Sequence, residues 1–423
     1  MQSDEMRDGG ALLGTALGEF TELARDVHKA LATRIFGLCG PAARPAQVLH
    51  DAISAAAYAG SRLAARAVPA AVGAVAAETG TASVDAYADT PRGHFALSAL
   101  NGFWGDRIAT ERSALATVMS VRTHDGRLRR LPGNVAHDET SPTGKLVVFL
   151  HGLCETDRYW WYGAERAWGD PNTTYGSRLR AERGWTALYM HYNTGLRISE
   201  NGRLLAGYLE TLVDRWPVPV TEIALVGHSM GGLVVRAAAH LAADRDLVWV
   251  DALRHIVGFG TPHLGAPLER WVNARTHAMS RLPETRPIAT WLNRRSVGIK
   301  DLRHGSVLEA DWAGFDLEDP TDNVGAATLL PGVAYSMVSA TLAQRPDGRF
   351  AHDLLVEHIS AHGTGRPNAT RRIDFETDRL FHVGRRTHFH LLNDAAVYTR
   401  LRSWLDGADG AEQATAHITA TSA

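Results

Sequence analysis

Residues 223–232 read IALVGHSMGG, an apolar run that leads directly into a G-x-S-x-G motif. The apolar run predicts a buried strand, and the residues after the motif predict a helix. A serine on the sharp turn between a strand and a helix needs small residues two positions before and after it, because backbone and helix pass close together there. Gly227 and Gly231 meet this need on either side of Ser229. The stretch therefore predicts a nucleophilic serine on a strand-turn-helix junction.

Apolar runs of similar length recur on both sides of this motif, and helix-prone segments separate them. Four of these runs predict buried parallel strands, at residues 146–150, 186–190, 223–226 and 255–259, and further strands are predicted at 333–340 and near 379–383. Strands that alternate with helices at this spacing form a mostly parallel sheet with helices on both faces. The sequence therefore predicts an α/β fold, with helices at 202–215 and 232–243 and a last helix around 395–405.

A shorter β-rich segment precedes these strands. Residues 119–123 and 127–131 flank the dipeptide Asp125-Gly126. Asp-Gly readily supplies the positive φ that a tight hairpin turn requires. The segment therefore predicts a β-hairpin.

The N-terminal part is rich in alanine and carries apolar residues at intervals of three or four, which is the spacing of one helix face. The stretch 37–45 interrupts this pattern, and a second helix is predicted from about 51 to 66, with Pro69 ending it or beginning a third. We therefore expect a helical hairpin or small bundle over residues 11–80. It is interpreted as a packing appendage, with a membrane-surface or partner-binding helix as the alternative.

The composition excludes several classes of protein. The 423 residues are 45% hydrophobic and 21% charged, which is ordinary for a globular chain. Forty-four basic against 46 acidic residues give a net charge of -2, and no compact basic cluster points to nucleic-acid binding. No secretory signal opens the sequence, so the expected location is the cytoplasm. Peripheral membrane contact through the N-terminal helices is the alternative.

Neither a metal nor a cofactor is predicted. Cys39 and Cys154 are too few for a disulfide framework or a cysteine-based zinc site. His358 and His362 stand one helical turn apart, but a pair without a third ligand is typical of a surface. No phosphate-binding glycine motif follows a predicted strand.

A serine that attacks a carbonyl group needs backbone N–H donors for the oxyanion that develops. One donor, the N–H of Met230, is built into the turn itself. The second is expected on the loop after an earlier strand, and the run 146–150 leads straight into His151-Gly152-Leu153. We assign the second donor to the N–H of Leu153.

Four segments of the chain together resemble the α/β-hydrolase family, specifically its lipases and esterases, including proteins similar to the GPI inositol-deacylase hydrolase domain. They are LVVFLHGL at 146–153, ALVGHSMGG at 224–232, GTPHLGAPLE at 260–269 and HFHLL at 388–392. The resemblance covers roughly residues 117–406. It implies ester hydrolysis by a Ser-Asp/Glu-His triad in which the acid and the histidine follow the serine along the chain, without a cofactor.

The triad histidine should follow the last strand, because a loop there can bring its ring over the sheet edge to the serine. His382, His388 and His390 lie in this part of the chain. Members of the family commonly carry a histidine followed, after two residues, by a Leu-Leu pair, and His388 fits that frame. We assign His388, with His390 as the alternative.

The triad acid should follow the strand predicted at 333–340. Relatives carry a Gly-Asp-Gly-Leu-Val segment, and Asp353 in HDLLV occupies the same frame without the two glycines. Asp347 lies in the same window but reads as a turn residue, because Pro followed by Asp-Gly is turn chemistry. We assign Asp353, with Asp347, Asp301 and Asp374 as alternatives.

Composition and the resemblance together suggest a domain organisation, although the resemblance does not cover the N-terminal helices. We expect an N-terminal helical region over 1–92, an α/β-hydrolase domain over 93–406 and a flexible tail over 407–423. The fold often carries a cap inserted after the middle strands. Residues from about 267 to 332 are therefore interpreted as a cap above the acyl pocket.

The expected function is hydrolysis of a small-molecule or lipid carboxylic ester through Ser229, His388 and Asp353, with an acyl-enzyme intermediate. The Leu153 and Met230 amides would bind the oxyanion. Two alternatives stay open: acyl transfer or amide cleavage by the same triad, and a non-enzymatic binding protein on the same scaffold.

Overall fold

The computed structural model describes residues 3–40, 43–79, 91–113, 115–123, 128–129, 141–316, 318–319, 321–325, 327–365 and 371–420. The chain divides into two compact units. The helical unit comprises Met1–Leu100, Arg107–Ala116 and Trp271–Arg295, and the sheet unit comprises Asn101–Asp106, Thr117–Arg270 and Ser296–Ala423. All five residues assigned to the site from the sequence belong to the sheet unit.

In the part of the chain that is described, eight strands form one sheet. In chain order they are β1 (Ser120–Arg122), β2 (Leu128–Arg129), β3 (Lys145–Leu150), β4 (Thr186–His191), β5 (Glu222–His228), β6 (Leu253–Phe259), β7 (Ala334–Thr341) and β8 (Leu380–Gly384). They lie side by side in the order β2-β1-β4-β3-β5-β6-β7-β8. Strands β4, β3, β5, β6, β7 and β8 are mutually parallel, whereas β1 is antiparallel to both of its neighbours.

The structure contains α-helices and short 3-10 helices. The α-helices are α1 (Ser3–Cys39), α2 (Arg44–Thr79), α3 (Pro91–Thr110), α4 (Ala164–Trp168), α5 (Tyr175–Arg183), α6 (Ile198–Asp214), α7 (Met230–Asp244), α8 (Pro267–Met279), α9 (Arg286–Leu292), α10 (Val297–Asp301), α11 (His358–Ala361) and α12 (Ala395–Ala420). Short 3-10 helices cover Asp157–Trp161, Val248–Ala252, Glu309–Asp311, Gly348–Phe350, Thr377–Arg379 and His388–Leu392.

The sheet is buried on both faces, as its continuous apolar strands predict. Successive side chains of a strand point to opposite faces. In β3, Leu146 and Val148 pack into one core with residues of α6 and α7, whereas Val147 and Phe149 pack into a second core with residues of α5 and α12. The predicted α/β class, a mostly parallel sheet between two layers of helices, is confirmed.

The predicted hairpin is also present as a strand pair. Val121 of β1 pairs with Arg129 of β2 in antiparallel register. The turn predicted at Asp125-Gly126 lies outside the described residues.

In the helical unit, α1 and α2 are two long helices joined by a short connection, as the predicted helical hairpin requires. The prediction that a helix ends or restarts at Pro69 is wrong, because Pro69 lies inside α2. A Cβ atom on Gly14 of α1 would lie 2.5 Å from the Arg66 carbonyl oxygen, and one on Gly10 would overlap the Pro69 carbonyl oxygen. Helix α1 therefore packs closely against α2 around Pro69. This packing offsets the loss of the one helical hydrogen bond that proline cannot donate.

Ion pairs join separate parts of the chain within the helical unit. Glu19 of α1 is buried and pairs with Arg107 at 2.8 Å and with Arg294 at 3.2 Å. Arg34 of α1 pairs with Glu284, which lies 250 residues further along the chain. Residues 271–295 therefore group with the N-terminal helices, whereas the sequence analysis placed them in a cap on the hydrolase domain. The domain boundaries after residues 92 and 406 stay predictions.

The C-terminal backbone differs from the loose tail that the composition suggests. Helix α12 continues to Ala420, although Gly407 interrupts it with φ 67° and ψ -168°. The interruption coincides with the predicted start of the tail. Among the helices described, none has both the length and the apolar character needed to cross a membrane.

Candidate active site

Ser229 lies at the junction of β5 and α7, with φ 53° and ψ -123°. A positive φ is strained for a residue that carries a side chain. Two backbone hydrogen bonds hold the turn: the Ser229 N–H donates to the Phe259 carbonyl oxygen at 2.8 Å, and the Gly232 N–H donates to the Ser229 carbonyl oxygen at 3.1 Å. The half-buried serine side chain is therefore presented at the carboxyl end of the parallel strands.

The glycines around Ser229 are required by close backbone approaches. A Cβ atom on Gly227 would overlap the backbone nitrogen of Gly232, and one on Gly231 would lie 2.6 Å from the carbonyl oxygen of Leu150. Helix α7 thus begins directly against the end of β3. Any larger residue at either position would push the turn away from the sheet.

Gly231→Ala is expected to lower the free energy of unfolding by about 1–3 kcal/mol, because the added methyl group must displace the backbone at the end of β3. Gly207→Ala is the matched control, since Gly207 lies on the exposed side of α6 with no atom within 4 Å of its added Cβ. The control is expected to gain up to about 1 kcal/mol from helix propensity. Urea denaturation of both variants measures the difference. Equal stability of Gly231→Ala and the wild type would contradict the close approach.

His388 and Asp353 meet at the same edge of the sheet. Asp353 lies on the loop after β7, and His388 begins the 3-10 helix after β8. The His388 Nδ1 atom lies 2.7 Å from the Asp353 Oδ2 atom, and the His388 N–H donates to the Asp353 carbonyl oxygen at 3.0 Å. The other carboxylate oxygen, Oδ1, accepts from the N–H groups of Leu355 at 3.0 Å and Val356 at 2.8 Å. Both side chains are buried, and these bonds fix the Asp353 carboxylate and the Nδ1 side of the His388 ring.

Backbone conformation explains how Asp353 fits the family frame without its glycines. Leu354 has φ 96°, in the left-handed region that favours glycine. Its side chain is 61% exposed. The position where relatives carry glycine therefore keeps the glycine-like backbone, and the leucine side chain avoids a clash by pointing outward.

The His388 ring also lies close to the serine turn. A Cβ atom on Gly260 would lie 3.0 Å from the Cε1 and Nδ1 atoms of His388. Gly260 directly follows Phe259, whose carbonyl oxygen binds the Ser229 N–H. The Nε2 atom of His388 is buried and has no hydrogen-bond partner among the described residues. It is therefore free to accept a proton from a hydroxyl group.

The alternative candidates for the triad histidine and the triad acid do not form such a pair. His390 caps its own helix, with Nδ1 2.7 Å from the Thr387 hydroxyl. Asp301 is buried but binds Arg197 and the N–H of Ile198. The other two candidate acids, Asp347 and Asp374, are exposed. Among the described residues, neither contacts a histidine.

The electrostatics of the pair favour a charged acid and a basic histidine. Burial acts to raise the pKa of Asp353, but His388 and the two N–H donors outweigh it and hold that pKa below its ordinary value. Burial acts to lower the pKa of His388, but the charge and hydrogen bond of Asp353, together with the charge of Glu155, raise it above its ordinary value. This combination suits a general base.

The loop after β3 lies against the serine. A Cβ atom on Gly152 would be 2.9 Å from the Cβ atom of Ser229. The N–H of Leu153 donates to none of the described residues. The N–H of Met230 opens α7 and has no partner within the helix. The two amides assigned to the oxyanion from the sequence are thus both available for an external acceptor.

Cys154 on the same loop has a packing role. Burial, with a contribution from Glu155, raises the pKa of its thiol to about 11. A Cβ atom on Gly102 would overlap the Cys154 sulfur, so the thiol fills a tight contact with α3. The thiolate needed for a nucleophile is therefore disfavoured.

Two residues at the site were missed in the sequence analysis. Glu155 and His228 are both buried, and the His228 Nδ1 atom lies 3.0 Å from the Glu155 carboxylate. Glu155 also accepts from the N–H of Gly152 at 2.7 Å. No sequence motif marks Glu155, because its position depends on the loop folding back on itself.

Metal ligation is not supported by the described side chains, which contain no converging group of three or more His, Cys, Asp or Glu. His358 and His362 are not at the surface as predicted: His358 is half-buried and His362 is 6% exposed. The rings are held by protein partners, with His358 Nδ1 2.8 Å from the Ser339 hydroxyl and His362 Nε2 3.2 Å from the Phe381 carbonyl oxygen.

Comparisons with known proteins bear on the family. A family profile described as a PGAP1-like alpha/beta domain matches residues 141–323. A triacylglycerol lipase from Burkholderia plantarii is 25% identical over 146 residues, which are 33% of this chain and 36% of the lipase. The chain thus spans about a third of the length of this curated relative.

Solved structures also align with the chain. A thermophilic esterase from Thermogutta terrifontis aligns with a TM-score of 0.35 and 15% identity, over 69% of this chain and 98% of that chain. An alpha/beta hydrolase superfamily protein from Enterococcus faecalis aligns with a TM-score of 0.37 and 14% identity, over 69% of this chain and 96% of that chain.

The family match at 141–323 includes β3, the loop at Gly152, the turn at Ser229 and α10. The parallel sheet, flanked by helices on both faces, supplies the architecture. These findings show that residues 141–323 are similar to a PGAP1-like alpha/beta domain, and that the chain resembles the lipases and esterases of the α/β-hydrolase family.

Proposed function

We propose that the protein hydrolyses carboxylic esters, with Ser229 as nucleophile, His388 as general base and Asp353 as its partner. The observation that carries the proposal is the buried His388–Asp353 pair, joined at 2.7 Å beside the turn that holds Ser229. The chain order of serine, acid and histidine is the order of the family. The free Nε2 atom of His388 supports the role of proton acceptor.

In the proposed reaction, His388 Nε2 takes the hydroxyl proton while the Ser229 oxygen attacks the carbonyl carbon of the ester. The carbonyl oxygen becomes an oxyanion, and the Leu153 and Met230 N–H groups bind it. His388 then returns the proton to the departing alcohol, which leaves an acyl-enzyme. Water attacks the acyl group by the same route and releases the acid. Asp353 holds the imidazole in the tautomer that has its proton on Nδ1.

The proposed substrate is a small-molecule or lipid ester. The lipase relative favours ester cleavage over the alternatives of acyl transfer or amide cleavage by the same triad. Product analysis with an added alcohol separates them, since a transferase yields a new ester where a hydrolase yields the free acid. Cytoplasmic location and peripheral membrane contact stay predictions.

The test is hydrolysis of a p-nitrophenyl ester series from acetate to palmitate, with Ser229→Ala as control. Activity confined to short chains would indicate an esterase with a tight pocket, and a long-chain preference would indicate a lipase. Absence of Ser229-dependent turnover across the whole series would refute the proposed hydrolysis of simple esters. The binding-protein alternative would then gain support.

The pH dependence of kcat/KM provides a further prediction. Protonated His388 cannot accept the serine proton, so activity is lost as the pH falls through the pKa of this ring. Because that pKa is raised, we expect the acidic midpoint above the ordinary histidine value of 6.5. A pH-rate profile with a non-ionising ester measures it. A midpoint at or below 6.5 would contradict the electrostatic contribution of Asp353.

A further inference from the structure

Glu155 is a buried carboxylate that the proposed mechanism does not use. Its side chain is 4% exposed and lies on the turn after β3, beneath the loop that carries Leu153. A buried charge is retained only where partners compensate for lost hydration. Its contacts therefore indicate what the carboxylate holds in place.

The first contact is with the oxyanion loop. The Gly152 N–H donates to Glu155 Oε2 at 2.7 Å, a short hydrogen bond to a charged acceptor. The Glu155 N–H donates in return to the Gly152 carbonyl oxygen at 3.2 Å. The loop is thus closed on itself at Gly152. The next N–H along the chain, that of Leu153, has no partner among the residues that the structure describes.

The second contact is with the serine turn. His228 immediately precedes Ser229, and its Nδ1 atom lies 3.0 Å from the Glu155 carboxylate. At the opposite edge of the ring, Nε2 lies 3.3 Å from the His388 carbonyl oxygen. The His228 and His388 rings lie 4.5 Å apart, centre to centre. One buried histidine therefore joins Glu155 to both the serine turn and the histidine loop.

The charge on Glu155 is maintained by these contacts. Burial acts to raise the pKa of Glu155, but His228 and the Gly152 N–H outweigh it and hold the pKa below its ordinary value. An ionised carboxylate close to a developing oxyanion would oppose catalysis if its charge were uncompensated. The two bonds that fix its position also offset its charge.

We propose that Glu155 is a positioning residue that, through His228, fixes the loop at Gly152–Leu153 relative to the turn at Ser229–Met230. We call the connection from Gly152 through Glu155 to His228 the brace. The two N–H groups of the oxyanion hole come from the two segments that the brace joins, so the distance between these groups depends on it. The inference rests on the proposed function for its catalytic consequence. The contacts themselves do not depend on it.

Glu155→Gln keeps the brace and removes its charge. The amide oxygen can accept from the Gly152 N–H, and the amide N–H can donate to Nδ1 of a neutral His228 that carries its proton on Nε2. That proton then faces the His388 carbonyl oxygen. Glu155→Ala removes both contacts and leaves the Gly152 N–H and the His228 ring without their partner.

Kinetics with a p-nitrophenyl ester form the first arm of the experiment. Glu155→Ala is expected to lower kcat by about 10²-fold with KM nearly unchanged, because losing one oxyanion donor has about this effect. Glu155→Gln is expected to recover most of the activity. Glu165→Ala, at an exposed glutamate on α4, is the matched control and should equal the wild type. A loss confined to KM, or no recovery by glutamine, would overturn the positioning role.

Amide hydrogen exchange forms the second arm and needs no turnover. Peptides that contain the Gly152 amide should exchange faster in Glu155→Ala than in the wild type and recover protection in Glu155→Gln. Unchanged exchange in Glu155→Ala would refute the brace, whatever the kinetics show. Faster exchange in Glu155→Ala, combined with a wild type that shows no Ser229-dependent esterase activity, would support the brace and refute the proposed function instead.

Circular dichroism establishes whether each variant folds. If Glu155→Ala does not fold, His228→Ala takes its place in both arms, because it removes the contact between Glu155 and His228 from the other end. It should show faster exchange at the Gly152 amide and a lower kcat. Normal exchange in a folded His228→Ala would overturn the inference.

Discussion

Ser229→Ala is expected to lower kcat for a p-nitrophenyl ester by about 10⁴- to 10⁶-fold. The substitution removes the oxygen proposed to form the acyl-enzyme, and the nearby Cys154 thiol is a poor replacement, because its pKa is raised to about 11. The residual rate would reflect binding and the oxyanion donors alone. Initial rates with a short-chain ester, measured at high enzyme concentration, check the value.

The control for this variant is Ser403→Ala, on the exposed side of α12. It should keep wild-type activity. Alanine fits at position 229 as well as serine, since both carry a Cβ atom at the same strained φ of 53°. Thermal unfolding of the two variants should therefore agree with the wild type, so a large loss of activity would report chemistry. Retention of more than about a tenth of the activity would exclude Ser229 as the nucleophile.

Asp353→Asn is expected to lower kcat by about 10⁴-fold, because it reverses the tautomer of His388. The Oδ1 position accepts from two backbone N–H groups, Leu355 and Val356, so the amide oxygen of asparagine must lie there. The amide NH₂ group then faces His388 Nδ1, which must become the acceptor. The proton moves to Nε2, and the ring cannot accept a proton from Ser229.

The matched control is Asp347→Asn, an exposed aspartate on the same loop that the sequence also offered as a triad acid. It should keep full activity. The same assay compares the two, and kcat should fall far more than KM changes in Asp353→Asn. Equal activity of both variants would remove Asp353 from the mechanism, and a loss confined to Asp347→Asn would favour the alternative acid.

Local sequence was enough to predict the turn at Ser229. The glycines, the apolar run and the helix-prone residues that create this turn are adjacent in the chain, so the sterics can be read directly. Strands β3 to β6 were predicted as buried parallel strands for a similar reason, since a strand buried on both faces must be apolar along its length. The layout of the parallel sheet therefore followed from patterns within single segments.

Features that depend on distant contacts were harder to predict. Asp353 and His388 are 35 residues apart, and family resemblance was needed to select them among several candidates. Leu354 has the positive φ typical of glycine but is not glycine, so the segment around Asp353 lacks the glycines that mark the acid in relatives. Glu155 was missed because its role depends on how a loop folds back. Pro69 was misread because packing from α1, which the sequence of α2 does not contain, holds the helix together.

The discontinuous helical unit has a consequence for the order of events during synthesis. Translation produces the chain from its N-terminus, and domains generally fold as their residues emerge. Helix α1 emerges before the sheet, but Arg34 meets Glu284 only after a further 250 residues have been made. By then β1 to β6 have all been synthesised. Helix α1 therefore cannot complete its unit until after most of the central sheet has been synthesised.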